Sequence, residues 1–295
     1  MSDPARSSDF PRRALIQQWD GAFPPDYQLV ADELQCRGIP VVGATTQEFL
    51  SGRVSLAKSD LVVGDFMWTR HALKQLSVPM PAAPDYPDCL SHLLHRKIWN
   101  STLREIKLFL DTPSDDKPAQ VFIKPAVDAK AFAAIIEPRD QMLDALFYGI
   151  PSVMEPLDPN LPVFCAEVVD MREEHRVYVV NGEIRAVCCY RGLQPDEPSR
   201  LDLDVVRRAV SDLYASHEGR SLAGCAVDFA VIHKAKTSSA ASVSSDDQAG
   251  ALQSITAEST CLVEVNDGYS LGRYAGLSGK DYTDLLIARW RRLMS

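Results

Sequence analysis

Oxygen-bearing side chains concentrate in residues 261–268, which read CLVEVNDG. Two valines there favour a β-strand, and the alternation of a strand sends Glu264 and Asn266 to the face opposite the valines. Upstream, the apolar run 224–232 predicts a mostly buried strand with one carboxylate, Asp228. Carboxylate and amide oxygens are ligands that Mg²⁺ accepts, usually together with substrate phosphates. Glu264, Asn266 and Asp228 are therefore predicted metal ligands, and the alternative is that the first two form the solvated face of an antiparallel strand.

Two lysines are placed where they could contact phosphate groups. Lys124 ends a short strand-like run at residues 121–126, which a proline stops. Lys97 lies near the start of a helical apolar pattern that predicts a helix over residues 92–110. A lysine is a compact charge on a flexible stem, so it suits phosphate oxygens reached from a strand end or a helix start. Each lysine alone could equally be an ordinary surface charge.

The composition excludes several classes of function. The net charge of -9 argues against binding of nucleic-acid phosphates as the main role. The seven cysteines are odd in number and show no zinc-ligand spacing, so they are predicted to be small buried residues in a reducing compartment. No window reaches the roughly 18 apolar residues of a membrane span, and the N-terminus has no apolar signal region. We therefore expect a cytoplasmic protein without a nucleic-acid or membrane partner.

The elements that must position these side chains suggest an α/β fold with two domains. Residues 1–12 are predicted to be a loose tail. A β-α-β alternation then predicts a small parallel sheet, and a segment with four prolines at 78–87 reads as a linker, which gives an N-terminal α/β domain at 13–90. The second domain, at 91–295, is predicted to consist of two α+β subdomains. Its Ser- and Ala-rich stretch at 234–260 has no periodicity and reads as a disordered-like insertion.

The ordered set of motifs resembles the ATP-grasp superfamily. The matching features are Lys97, Lys124, the run 164–180 (FCAEVVDMREEHRVYVV), Asp228 and the Glu-x-Asn strand. The runs EHRVYVVNGEI and VEVNDGYSLGRY look most like the ATP-grasp clade that is named for two arginines and a lysine. This resemblance implies an ATP-grasp fold with a small N-terminal α/β domain, and it implies ATP and Mg²⁺ as cofactors.

The resemblance also implies roles for individual residues of the nucleotide site. Backbone groups of a hinge would bind adenine, a glutamate seven residues further on would bind the ribose hydroxyls, and lysines would bind the phosphates. The implied residues are Glu167, Val168, Val169, Glu174, Lys97, Lys124 and Lys130. Lys130 lies in 127–138 (VDAKAFAAIIEP), where the superfamily has a mobile loop, but this stretch departs from the pattern because it has no glycine. Without the resemblance, 164–180 would be read as a hairpin with a charged turn.

The implied activity is that of an ATP-dependent carboxylate-amine ligase that forms an acyl phosphate and releases ADP. Its substrate would be a small molecule or peptide that carries the carboxylate, with an amine as acceptor. Arg176, Arg191 and Arg273 are candidates to contact the acyl phosphate or an acceptor carboxylate. The alternatives are an ATP-grasp kinase that stops after phosphorylating a hydroxyl group, and an ATP-binding module without turnover. Specificity residues are expected in the N-terminal domain, with these candidates by position: Asp65, Trp68 and Arg70. The sequence indicates no oligomeric state.

Overall fold

The computed structural model describes residues 10–114, 117–127, 131–194, 197–234 and 257–295. The strands are β1 (Arg13–Gln18), β2 (Val41–Thr45), β3 (Asp60–Val63), β4 (Ile98–Thr102), β5 (Val121–Pro125), β6 (Ile135–Glu137), β7 (Pro162–Glu167), β8 (Met171–Val180), β9 (Glu183–Arg191), β10 (Gly224–Lys234) and β11 (Ala257–Asp267). The α-helices are α1 (Pro25–Cys36), α2 (Thr46–Leu50), α3 (Phe66–Gln75), α4 (Leu103–Asp111), α5 (Leu143–Tyr148), α6 (Leu203–Ala215) and α7 (Gly279–Met294). The chain forms two compact units, one of residues 1–91 with 172–295 and one of residues 92–171.

The N-terminal part of the first unit is the predicted small parallel sheet. Its strands lie in the order β2-β1-β3, and β1 pairs in parallel with both neighbours. The apolar patterns of residues 27–37 and 68–76 predict helices, which agree with α1 and α3. Helix α3 begins where the Asp65 carboxylate accepts a hydrogen bond from Trp68 N at 2.9 Å. The short helix α2 was not predicted, although Thr45 and Glu48 form a capping box at its start.

The final helix α7 shares one hydrophobic core with this parallel sheet. The core includes Ile16 of β1, Leu285 and Trp290 of α7, and Tyr178 of β8. The Trp290 indole also donates a hydrogen bond to the Asp60 carbonyl oxygen at 2.7 Å. The N-terminal segment and the C-terminal helix therefore stabilise each other, whereas the domain boundary at residue 90 stays a prediction.

The second sheet of the first unit has the strand order β11-β10-β8-β9. It carries six of the predicted site residues: Glu174, Arg176, Arg191, Asp228, Glu264 and Asn266. The Asn-Gly pair at 181–182 predicts a two-residue hairpin turn, and the structure confirms it: Asn181 and Gly182 join β8 to β9 with φ angles of 50° and 85°. The amphipathic pattern of residues 203–214 predicts a helix, which is close to the observed α6. This helix begins after Asp202, whose carboxylate accepts from two backbone amides of the first turn. The sheet thus fixes the register of the site residues on β8, β9, β10 and β11.

The second unit contains a sheet in the order β4-β7-β5-β6, with α4 and α5 packed on one face. The single helix predicted over residues 92–110 is wrong. Residues Asp88–Leu93 form a 3-10 helix, 98–102 form β4, and only 103–111 form α4. The apolar spacing satisfied a helical pattern because Leu94, before the strand, and Ile98, its first residue, happen to continue the spacing of the amphipathic helix α4 that follows. Thr102 ends the strand and caps the helix, and the Glu105 side chain completes a capping box.

Four further predictions concern a loop, the linker, the insertion and the N-terminal tail. The loop predicted at 127–138 is shorter than expected, because residues 135–137 form β6 and pair with β5. The proline-rich segment 78–87 forms no helix or regular strand, although the Asp85 carbonyl accepts a hydrogen bond from Val265 N at 2.7 Å. Residues 235–256 of the predicted insertion and 1–9 of the predicted tail lie outside the described residues.

Within the described ranges, no helix is both long enough and apolar enough to cross a membrane.

Candidate active site

The structure brings the three predicted metal ligands together on paired positions of β10 and β11. Asp228 lies directly opposite Glu264, and Ala226 lies directly opposite Asn266. Because residues two apart in a strand share a face, these three polar side chains point to the same side of the sheet. The Asn266 amide donates a hydrogen bond to Asp228 Oδ2 at 3.1 Å. A β-bulge next to this pair leaves Val263 without an opposite residue, which the sequence alternation did not indicate.

Arg176 on β8 binds the Asp228 carboxylate through two nitrogens. Its Nε donates to Oδ1 at 2.9 Å and its Nη2 donates to Oδ2 at 2.7 Å. Burial raises the pKa of Asp228; Arg176 acts in the opposite direction, and the charges of Glu264 and Glu174 add to the increase. Burial disfavours the charged guanidinium of Arg176, but the hydrogen bonds and charge of Asp228 outweigh it and raise the pKa of Arg176. The arginine therefore stays charged and offsets part of the local negative charge.

Aromatic rings hold this arginine in place, and the sequence alone did not indicate them. The Arg176 guanidinium carbon lies 5.0 Å from the ring centre of Tyr274, which stacks on Tyr190 with ring centres 4.8 Å apart. The Tyr178 hydroxyl accepts from Tyr274 N at 2.8 Å and donates to the Gly272 carbonyl at 2.9 Å. The sequence does show tyrosines beside the charged residues of the β8 and β9 runs and of GYSLGRY. These tyrosines were the only sequence signal that aromatic rings could contact the site.

Glu174, the predicted ribose ligand, lies on the same strand as Arg176, two residues before it. Its carboxylate accepts a hydrogen bond from the Tyr190 hydroxyl at 3.0 Å and from Arg191 Nη1 at 2.5 Å. Its side chain is only 10% exposed, whereas that of Arg191 is 69% exposed. The predicted catalytic candidate Arg191 is thus bound to the predicted ribose ligand.

Arg273, the third arginine candidate, lies in a different set of contacts. Its Nε donates to Asp26 Oδ1 at 2.9 Å, and its Nη1 donates to the Leu277 carbonyl at 2.8 Å. The bond to Asp26 joins the segment before α7 to the first turn of α1, and the bond to Leu277 lies within that segment. The described contacts therefore indicate a structural role for Arg273 and do not bring it to Arg176.

In the second unit, the described contacts do not bring the two predicted phosphate-binding lysines together. The Lys124 ammonium lies 5.5 Å from the ring centre of Phe164, and the Lys97 ammonium lies 5.8 Å from that of Trp99. Trp99 packs against the core under α4 and α5, whereas Phe164 alternates along β7 with core residues. The two rings, and the lysines that contact them, therefore lie on opposite faces of this sheet. Lys97 also precedes β4, so it is not at a helix start as predicted.

The predicted adenine hinge begins at the last residue of β7. Glu167 N donates to the Lys97 carbonyl at 3.0 Å, and the Glu167 carboxylate accepts from Lys97 N at 2.9 Å. These bonds engage the backbone N–H and the carboxylate of Glu167. The predicted hinge continues through Val168 and Val169 in the segment 168–170, which joins β7 to β8, and its adenine contacts stay a prediction. Lys130, the remaining nucleotide candidate, lies outside the described residues.

The predicted specificity residues of the N-terminal domain have structural contacts. The Asp65 carboxylate caps α3 and also accepts from Gln17 Nε2 at 2.8 Å. Trp68 is 2% exposed and packs on Phe49, with ring centres 4.3 Å apart. Arg70 lies over the Phe66 ring at 5.0 Å. Trp68 is therefore a core residue, and the specificity role of all three stays a prediction.

A cluster of the buried residues Glu173 and His175 with the exposed Ser199 resembles a hydrolase triad in composition only. His175 Nε2 lies 3.0 Å from Glu173 Oε2 and 3.3 Å from Ser199 Oγ. A charge-relay triad uses one ring nitrogen for the acid and the other for the nucleophile. Because the same nitrogen contacts both partners, the cluster anchors the segment before α6 to β8 and does not activate the serine.

The donor set at Asp228, Glu264 and Asn266 fits a hard divalent cation. All three supply oxygen atoms from the same side of the paired strands β10 and β11. Burial and nearby negative charge raise the pKa of Asp228, and a bound cation would stabilise the ionised carboxylate against both effects. Among the described residues, no group of three or more His, Cys, Asp and Glu side chains could hold a metal ion. The predicted set has two carboxylates and one amide, so any further ligands would come from substrate phosphates or water.

Comparison with known sequences decides the family. A profile of the ATP-grasp domain, family 2 of the clade named for two arginines and a lysine, matches residues 93–285. The chain belongs to this ATP-grasp family. The match covers more than half of the chain, and the resemblance to that clade is confirmed. No curated protein sequence matches the chain.

Several solved structures are similar to this chain. The RimK domain ATP-grasp protein from Sphaerobacter thermophilus has a TM-score of 0.51 and 11% identity, over 95% of this chain and 98% of that one. The ATP-grasp ligase PsnB complexed with a minimal precursor has a TM-score of 0.49 and 14% identity, over 94% and 99%. D-alanine–D-alanine ligase from Bacillus anthracis complexed with ATP has a TM-score of 0.48 and 12% identity, over 96% and 97%. At its low identity, the RimK domain protein supports the fold alone.

Proposed function

We propose that this ATP-grasp protein is an ADP-forming ligase that joins a carboxylate to an amine. The carboxylate oxygen would attack the γ-phosphorus of ATP, and ADP would leave. The amine would then attack the acyl carbon, and inorganic phosphate would leave with the bonding electrons. The family match and the donor set on β10 and β11 support the proposal. The substrate class is a small molecule or peptide with a free carboxylate.

One observation carries the proposal: Asp228, Glu264 and Asn266 lie beside Arg176, which binds Asp228 through two nitrogens. Mg²⁺ held by the three oxygen donors would stabilise negative charge on the β- and γ-phosphates. Arg176, which stays charged, would bind an oxygen of the acyl phosphate or the incoming carboxylate.

The remaining site residues would serve the nucleotide. Glu174 would accept from the ribose hydroxyls, and Lys124 would bind phosphate. Lys97, Lys130, Arg191 and Arg273 keep their predicted roles only as hypotheses. The contacts of the two arginines favour a positioning role for the first and a structural role for the second.

The direct test is Mg²⁺-dependent ADP release during a screen of amino acids and short peptides. A ligase releases ADP only with both substrates present, or releases it slowly with the carboxylate alone, and mass spectrometry then finds a new amide bond. A kinase would give a stable phosphorylated product. ATP binding without ADP release under any combination would instead support the non-catalytic module and contradict the proposal.

Glu264→Gln is the sharpest variant for this screen, because it removes a charge and keeps the shape. We expect turnover to fall by about a hundredfold or more, as for loss of a main electrostatic stabiliser, with ATP binding largely retained. Asp228→Asn should lower turnover as well, but it would also leave Arg176 buried without its counter-charge and cost stability. Glu183→Gln is the matched control, because Glu183 is exposed on β9 and pairs with Arg185. Equal turnover in Glu264→Gln and the control would contradict the metal assignment.

A further inference from the structure

A β-bulge in β9 turns two consecutive side chains onto one carboxylate. Glu174 on β8 pairs with Arg191, whereas the next residue, His175, pairs with Cys189. Tyr190 is therefore the extra residue of the bulge. In a regular strand Tyr190 and Arg191 would point to opposite faces of the sheet. Here both reach Glu174, at 3.0 Å and 2.5 Å, and bulges commonly redirect side chains in this way beside active sites.

From this geometry we infer that Tyr190 is a positioning residue that fixes the Glu174 carboxylate for the ribose hydroxyls of ATP. The inference rests on the proposed function, which assigns Glu174 to ribose. It adds a residue that neither the sequence motifs nor the family match assigns, together with a consequence for nucleotide selectivity.

The hydrogen-bonding capacity of Glu174 allows both sets of contacts. An ionised carboxylate has about four lone-pair sites on its two oxygens. The Tyr190 hydroxyl occupies one site on Oε2 and Arg191 occupies one on Oε1. About two sites therefore remain, which is the number that the 2′- and 3′-hydroxyls of ribose need. The protein donors thus fix the carboxylate plane without filling it.

Tyr190 is better suited than Arg191 to hold the carboxylate in one rotamer. The Arg191 side chain is mostly exposed, so its ion pair is screened by water and its position is weakly fixed. Tyr190 is half-buried and is clamped by the stacked ring of Tyr274, whose backbone N–H is bound by Tyr178. Burial, with the charges of Asp228 and Glu174, raises the pKa of Tyr190, so the phenol keeps the proton that it donates.

The test measures affinity for ATP, 2′-deoxyATP and 3′-deoxyATP by calorimetry in the presence of Mg²⁺. Wild type should bind ATP more tightly than either deoxy analogue. Tyr190→Phe keeps the stacked ring and removes one hydrogen bond to a charged group, so ATP affinity should fall about three- to tenfold. Affinity for the deoxy analogues should change much less, so the preference for ATP shrinks. Glu174→Gln should remove most of that preference.

The matched control is Tyr214→Phe in α6. This change removes a hydroxyl that donates a hydrogen bond to the Leu222 carbonyl. It should leave all three nucleotide affinities unchanged. If Tyr190→Phe weakens ATP and both deoxy analogues equally, the residue only supports the fold and the inference is overturned. The inference also fails if Glu174→Gln removes the ATP preference while Tyr190→Phe retains it, although the proposed ribose contact then stands. Unchanged preference in Glu174→Gln would overturn the ribose assignment itself, and the inference with it.

Discussion

At the scale of single residues, the site is a balance of buried charges. Asp228 is 2% exposed, and an isolated carboxylate at that depth would cost several kcal/mol of desolvation. Arg176 supplies a bidentate partner, and Asn266 donates to one of the same oxygens. These bonds compensate much of the cost of burying Asp228, and such a network favours side chains that are held rigidly.

A prediction about a single residue concerns Arg273, because its sequence position suggested a catalytic role whereas its contacts indicate a structural role. Arg273→Ala removes two bonds, a partly exposed ion pair with Asp26 and a hydrogen bond to the Leu277 carbonyl. We expect the free energy of unfolding to fall by about 1–2 kcal/mol in denaturant titrations, with kcat within about twofold of wild type. A double-mutant cycle with Asp26→Asn should show that the two changes are not additive.

The opposite pattern would restore the sequence-based role of Arg273. That pattern is unchanged stability of the Arg273→Ala variant with a large loss of kcat, which a contact with the acyl phosphate would produce. The cycle with Asp26→Asn would then show no coupling.

At the scale of elements, those helices and strands whose end signals and periodicity agree could be predicted from the sequence. The last helix has Ser278 as its cap and an apolar stripe, and the structure begins α7 at Gly279. The prediction of one helix over residues 92–110 failed because the apolar spacing runs through β4 into α4, and periodicity alone does not separate a strand from the helix that follows it. The bulges at Val263 and Tyr190 could not be predicted, because a single extra residue leaves the composition and alternation of a short strand almost unchanged.

The candidate site likewise contains residues that the sequence could place and contacts that it could not predict. Strand alternation was enough to place Glu264 and Asn266 on one face, because that placement depends only on neighbouring residues of one strand. The contact of Arg176 with Tyr274 joins residues that are distant in sequence, so the motif could draw attention to the tyrosine but could not indicate its arginine partner.

The N-terminal cap of α7 leads to a prediction about the stability of the protein. The Ser278 hydroxyl accepts from Asp281 N at 3.0 Å and donates to the Asp281 carboxylate at 2.6 Å. Ser278→Ala should lower the free energy of unfolding by about 1 kcal/mol, measured by denaturant titration, because a first-turn amide loses its partner. Ser278→Thr keeps the hydroxyl and should remain close to wild type. Equal stability of the alanine and threonine variants would show that the cap contributes little.

At the scale of the whole molecule, the first compact unit is discontinuous in sequence. The parallel sheet of residues 13–63 and the helix at 279–294 share a core, and the Arg37 guanidinium in the turn after α1 pairs with Asp284 of α7 at 2.6 Å. A chain cut at residue 90 would separate these partners. No sequence pattern indicated this, because composition and linkers report where a chain changes character and not which segments pack together.

The last prediction follows from that shared core. A fragment of residues 91–295 should not fold cooperatively on its own, although the sequence suggested a domain with those bounds. Without the N-terminal sheet, α7 would expose the side chains of Leu285, Leu286 and Trp290, which are nearly fully buried in the intact chain. Burial of each such side chain contributes about 1.5–3 kcal/mol, and a domain has only about 5–15 kcal/mol of net stability. The fragment should therefore bind a hydrophobic dye and lack a sharp thermal transition, and co-expression with residues 1–90 should reverse both properties. A fragment that melts cooperatively near the temperature of the intact chain would show instead that residues 91–295 are an independent domain, with α7 stabilised by its contacts to β10 and to residues 268–270.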